Sequence, residues 1–204
     1  MQVLLFTWLH NQEFYISLQK KAVEPFSSTA SKNNKLEKTW ADIGCSTGLL
    51  SRLAAKLNYT VTGYDIDKNS LKMASFLSRK YKNLSYEQKD FNTLNESYDV
   101  ISATSLLSVV PKKEESLKKL ISLLRDADST LVLIEPTSKL TRKNVWKNIS
   151  DLKSFCYYKG LLLWAKAREN KAIDYKIFDS LQDITFTKEY HLDEMISITY
   201  VQKT

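Results

Sequence analysis

Asp42-Ile43-Gly44-Cys45-Ser46-Thr47-Gly48 follows the short apolar run Thr39-Trp40-Ala41 and leads straight into Leu49-Leu50-Ser51-Arg52-Leu53-Ala54-Ala55. This order predicts a strand over 39–44, a tight turn, and an amphipathic helix over 47–57. Two of the chain's four glycines fall in this turn. Glycine lets a backbone come close to a ligand without a Cβ clash, and a helix start offers N–H groups that have no partner within the helix. The stretch therefore has the form of a nucleotide site.

Working outward, the alternation continues. Strands are expected over 60–66, 84–91, 98–105 and 129–136, with helices over 68–82 and 112–126. Strands separated by helices of this length imply right-handed βαβ crossovers and a parallel sheet. Beyond Pro136 lies a basic, aromatic, helical region, and then two alternating stretches, 184–192 and 195–203, flank Asp193-Glu194 as a closing antiparallel hairpin. The fold class is α/β, a Rossmann-like three-layer sandwich on a mostly parallel seven-stranded sheet. At the front, residues 1–26 carry apolar positions at helical spacing and end at Glu24-Pro25, followed by a polar loop over 27–35.

At 204 residues the chain is one domain on length alone. Two cysteines far apart, Cys45 and Cys156, give no disulfide framework and favour a reducing, cytoplasmic setting. No basic leader or small-residue cleavage site precedes the apolar N-terminus, which reads as part of the fold. No apolar run is long enough to cross a bilayer, and no metal-ligand cluster is visible. The net charge of +7 is uneven: residues 137–176 hold ten basic and three acidic side chains, while the rest of the chain is balanced.

Three chemistries could use the 42–48 turn. A dinucleotide fingerprint needs G-x-G-x-x-G, but positions 46 and 49 are Ser and Leu. Gly44-Cys45-Ser46-Thr47-Gly48 also fits the nucleophile elbow of α/β-hydrolases, with Asp183 and His191 in the required order. That elbow needs strands before it to build an oxyanion loop, and here it follows the first strand. The third chemistry explains more. Asp65, 23 residues beyond Asp42 at the end of the second strand, can accept both hydroxyls of a ribose. Asp90 beside Phe91 can take an adenine amino group while the ring packs on its face. Asp67, a step later than Asp65, is the expected cap of the following helix.

Read together, DIGCSTG (42–48), GYDID (63–67), KDF (89–91), YDVISATSLLSVV (98–110) and LVLIEP (131–136) resemble the successive motifs of class I S-adenosylmethionine-dependent methyltransferases. The resemblance covers residues 38–136. It implies S-adenosylmethionine as cofactor, with S-adenosylhomocysteine as product. It implies that Gly44, Cys45, Ser46 and Gly48 form the loop at the methionine part, and that Asp42 steadies that loop and the amino group. Asp65 and Ile66 then meet ribose and adenine, Asp90 and Phe91 the adenine, and Thr104 and Ser105 end the fourth strand beside the methyl sulfonium. Two departures stand out. Ser46 replaces the usual middle glycine, and Leu106-Leu107-Ser108-Val109-Val110 replaces the histidine pair of many small-molecule members.

The implied organisation is an N-terminal helical lid (1–37), a cofactor-binding core (38–136), a basic helical cap over the acceptor (137–176) and a closing hairpin (177–204). Trp8, Tyr15, Trp146 and Trp164 are the candidate acceptor contacts; His10 could face the acceptor, but a place on the helix surface is expected, and no catalytic side chain is assigned. The expected acceptor is a small molecule, anionic or amphiphilic. RNA or protein acting through the basic surface, or a non-catalytic cofactor-binding protein, are the alternatives.

Overall fold

The computed structural model describes residues 7–27 and 38–204; residues 1–6 and 28–37 of the expected N-terminal lid lie outside the described residues. The strands are β1 (Thr39–Ile43), β2 (Thr60–Asp65), β3 (Leu84–Gln88), β4 (Val100–Thr104), β5 (Thr130–Pro136), β6 (Ile184–His191) and β7 (Ile196–Lys203). They form one sheet in the order β3-β2-β1-β4-β5-β7-β6. β1 to β5 pair in parallel, and β7 slots antiparallel between β5 and β6. This is the expected mostly parallel sheet with its closing hairpin.

The helices are α1 (Glu13–Val23), α2 (Leu49–Lys56), α3 (Lys68–Ser78), α4 (Lys113–Ser122), α5 (Arg142–Lys147), α6 (Leu152–Arg168) and the short α7 (Lys176–Asp179). Strand side chains alternate between two cores because successive residues point to opposite faces. Trp40, Val132, Ile134, Ile196 and Ile198 join α1, α2 and α6 on one side. Ala41, Ile43, Ile101, Leu131 and Leu133 join α4 and α7 on the other. β5 is buried at every residue, as a central strand covered on both faces must be, whereas edge strand β3 has no buried residue and reads polar. Among the described residues no helix is long and apolar enough to cross a membrane.

Several boundaries differ from the expected ones by a few residues, and three of these shifts have a local reason. α2 begins at Leu49, two residues late, because the turn before it uses left-handed backbone at Gly44, Ser46 and Gly48. β3 stops at Gln88 because the Asp90 carboxylate accepts the Asn92 N–H (2.9 Å) and turns the chain into a 3-10 turn. α3 ends at Ser78, whose hydroxyl is held by Tyr86 Oη (2.8 Å).

Candidate active site

The parallel strands are wound outward in opposite directions from β1 and β4, so their crossovers part at the carboxyl ends of these two strands. Open α/β sheets bind ligands at such a switch point. Gly44 sits there. With φ +66° it takes a conformation that residues bearing a Cβ rarely adopt, and a Cβ would meet only Leu106 Cδ1 at 3.5 Å, so the space before it is open. The turn stands at the centre of a cleft of about 900 Å³, at the large end of the range for small-molecule sites.

One half of the cleft is ringed by acids from three strand ends. Asp42, 3% exposed, accepts from Ser51 Oγ (2.5 Å) and Ser102 Oγ (2.9 Å), and Trp40 Nε1 in turn donates to Ser102 Oγ (2.8 Å). Burial pushes its carboxyl up to about 6 despite these bonds. Asp65 accepts the Ser46 N–H (2.8 Å) on one oxygen and the Asp67 N–H (2.9 Å) on the other. A carboxylate has about four acceptor positions, so each oxygen keeps a lone pair. Asp67 caps α3, accepting from Asn69 N and Ser70 N. Asp90 and Phe91 line the same half, as does Ile66, which is 72% exposed.

The other half is built by α1, α6 and the loop after β4. Tyr15 and Trp164 pack together (5.3 Å between rings), and Trp164 Nε1 donates to Ser105 Oγ (3.0 Å). Burial pushes the Tyr15 phenol above its ordinary range. Gln19, 1% exposed, lies 3.3 Å from Thr104 Oγ1 at the end of β4. Leu106, Val109, Val110 and Leu163 give this half an apolar wall. Behind it Glu135, fully buried, accepts the N–H groups of Leu107 (2.8 Å) and Ser108 (3.2 Å) and so fixes the loop after β4. Burial pushes its carboxyl up to about 8.

Residues 41–127 match the family described as "Methyltransferase domain". The stretch whose motifs resemble class I S-adenosylmethionine-dependent methyltransferases is thus similar to known methyltransferase domains over somewhat less than half of the chain. Over 88 residues it is 30% identical to the ubiquinone biosynthesis O-methyltransferase of Coxiella burnetii, covering 41% of this chain and 38% of that protein. The chain thus spans about two fifths of the length of those curated relatives. The ubiquinone biosynthesis O-methyltransferase of Colwellia psychrerythraea is 24% identical over 92% of this chain and 79% of its own. The plantazolicin methyltransferase BpumL, solved with a pentazolic desmethylPZN analog and SAH, superposes with a TM-score of 0.71 at 13% identity, over 98% of this chain and 90% of that one. At that identity the likeness is one of fold.

The fold brings most of the expected residues to one cleft. Asp42, Gly44, Cys45, Ser46, Asp65 and Ile66 line it, as do Asp90, Phe91, Thr104 and Ser105, and Tyr15 and Trp164 close its far side. Cys45 is buried, and burial beside Asp42 and Asp65 raises its thiol, which fits a packing role and not a nucleophile's. Three residues are not brought there. Gly48 instead faces Tyr86, whose Oη would stand 2.1 Å from an added Cβ. Trp146 is 54% exposed and stacks on Phe155 away from the cleft. Trp8 is half-buried under Lys159, whose Nζ lies 5.7 Å from its ring centroid.

His10 corrects the expectation of a surface histidine. It is buried, its Nδ1 lies 2.6 Å from Thr47 Oγ1, and it stacks on Tyr15 (4.8 Å) while lining the cleft. Burial and the Arg52 charge push it down to about 4, so it is neutral at physiological pH. Gln19 lines the cleft with no signal in the sequence, and Arg168, read from sequence only as one of the basic residues of 137–176, lines it as well. Of the ten basic residues in 137–176, eight are exposed and only Arg168 lines the cleft. Among the described residues, no group of three or more metal-binding side chains occurs.

Proposed function

We propose that the protein methylates a small acceptor, on oxygen, with S-adenosylmethionine bound across the acid-ringed half of the cleft. The observation that carries this reading is the division of one cleft into two unlike halves. One has strand-end carboxylates around an open glycine turn; the other is apolar and begins where β4 ends at Thr104. The cofactor fits the first half on two counts: the open front of Gly44, and the bare apolar surface of Ile66, which a flat ring would cover. In this reading Asp65 holds the ribose hydroxyls, Asp90 and Phe91 the adenine, and Asp42 the cationic amino end.

Held by Asp42, Asp65, Asp90 and Phe91, S-adenosylmethionine would supply an electrophilic methyl, whose transfer would form an O–C bond as the S–C bond breaks, leaving S-adenosylhomocysteine and passing the hydroxyl proton to solvent. The chain's task is to align the reactants and exclude water, which is worth roughly 7–11 kcal/mol. Tyr15, Gln19 and Trp164 wall the acceptor half and serve this task. His10, neutral and lowered to about 4, is a weak base, and a strong one is needed only where the acceptor hydroxyl is not itself acidic. Oxygen is favoured as acceptor atom by the names of the curated relatives.

A screen with methyl-labelled S-adenosylmethionine over phenols, carboxylic acids, amines and RNA tests this. Label should pass to a hydroxylated small molecule and not to RNA. Transfer only to RNA or to amines would overturn the assignment.

A further inference from the structure

In the acceptor half of the cleft, one charged side chain stands against apolar walls. Arg168 is the last residue of α6 and shares a helix face with Trp164, one turn earlier, while Leu163 and Ala167 line the same cavity. Its Nη1 donates to the Ala167 carbonyl (3.3 Å), and its buried Nε has no hydrogen-bond partner among the described residues. Buried guanidinium donors are ordinarily satisfied, so a buried free donor beside a ligand cavity points to a ligand. The nearby acid does not fill this role. Glu135 spends its oxygens on the N–H groups of Leu107 and Ser108 and makes no ion pair with Arg168 among the described residues. Burial also raises Glu135 to about 8, so it leaves the positive charge of Arg168 largely uncompensated at neutral pH.

We propose that Arg168 anchors a carboxylate on the methyl acceptor, so that the substrate is an amphiphilic monoanion whose apolar body lies against Leu106, Val109, Val110 and Leu163. The planar guanidinium edge matches a carboxylate in a two-point contact. A single negative charge fits because no second cation supports Arg168. Lys113, the neighbouring amine, is tied to the carbonyls of Lys171 and Ala172 (3.1 and 3.0 Å), and Lys89 belongs to the cofactor half. The choice goes beyond methyl transfer and rests on that reading, since it presumes that the other half of the cleft holds the cofactor.

Calorimetric titration of the full chain, saturated with S-adenosylhomocysteine, with 4-butylbenzoate and with its neutral isostere 4-butylbenzamide tests the assignment. The benzoate should bind at least tenfold more tightly than the amide to the native protein. R168Q should remove that preference by weakening the benzoate at least tenfold while leaving the amide unchanged, and R168K should retain part of it. Equal binding of the two probes, no binding of the benzoate, or an undiminished preference in R168Q overturns the proposal; the native comparison stands even if R168Q does not fold. The preceding titration with S-adenosylhomocysteine separates the two levels. Normal binding with no carboxylate preference overturns the Arg168 assignment alone, whereas absence of that binding overturns the methyltransferase reading and the anchor with it.

Discussion

Replacing Asp42 with asparagine should make the free protein more stable and the cofactor complex weaker. Burial raises the Asp42 carboxyl from 3.8 to about 6. The folded state therefore holds its proton more tightly than the unfolded chain. The group costs nothing below about pH 4, and stability is lost as pH rises through about 6. A gap of about two pH units corresponds to roughly 3 kcal/mol of cost at pH 7.5. Asparagine removes that cost but replaces one of the oxygens facing Ser51 and Ser102, a loss of about 1–2 kcal/mol. The net gain is about 1–2 kcal/mol, or roughly 2–8 °C in Tm for a chain of this size. It should vanish at pH 4.5. Glu135 and His10 titrate in both proteins, so the difference between the two melting curves isolates Asp42. Calorimetry should show affinity for S-adenosylhomocysteine falling about tenfold or more, because a charge-assisted contact to its amino group is lost. An Asp42→Asn protein less stable than the native one by the same margin at both pH values would show that the buried Asp42 charge carries no such cost.

Asp65→Ala should weaken S-adenosylhomocysteine binding by about 10–100-fold in a calorimetric titration, with Asp65→Asn in between, because two hydroxyl acceptors are lost and the Ser46 N–H is released. Gly48→Ala should lower Tm by roughly 4–12 °C, since a left-handed residue gains a Cβ (about 1–2 kcal/mol) and Tyr86 must leave Ser78; an unchanged Tm would contradict the packing role given to this glycine. Trp146→Ala should alter turnover by less than about twofold, because an exposed ring outside the cleft contributes no binding contact; a tenfold loss would return Trp146 to the acceptor site.

The sheet was readable because each of its signals is local. The glycine turn, the acid at the end of β2 and the largely apolar β5 each fix a strand end within a few residues, and the parallel order follows from the intervening helices. The acid-ringed half of the cleft was readable for the same reason: its acids sit at strand ends, where sequence position and spatial position coincide. The acceptor half was not, because its residues come from α1 and α6, whose rotation against the sheet is set by packing. His10 is buried only because Tyr15 and Thr47 meet it there. Trp146 and Trp164 looked alike in a basic aromatic stretch, yet one faces solvent and the other the cleft. One signal was available and unread: Glu135 is an acid inside an otherwise apolar central strand, which already implies a buried polar contact near the site. The basic segment misled in part, since its lysines are mainly a solvated face and only Arg168 turns inward.

We propose that one cleft, at the ends of β1 to β4, holds S-adenosylmethionine. A crystal structure grown with S-adenosylhomocysteine tests it most directly. Density for the adenosyl group between Asp65, Ile66 and Asp90, with the amino acid end over Gly44 near Asp42, is the predicted result. A folded protein whose cleft stays without density at saturating ligand, or whose ligand lies elsewhere, would rule out this binding site.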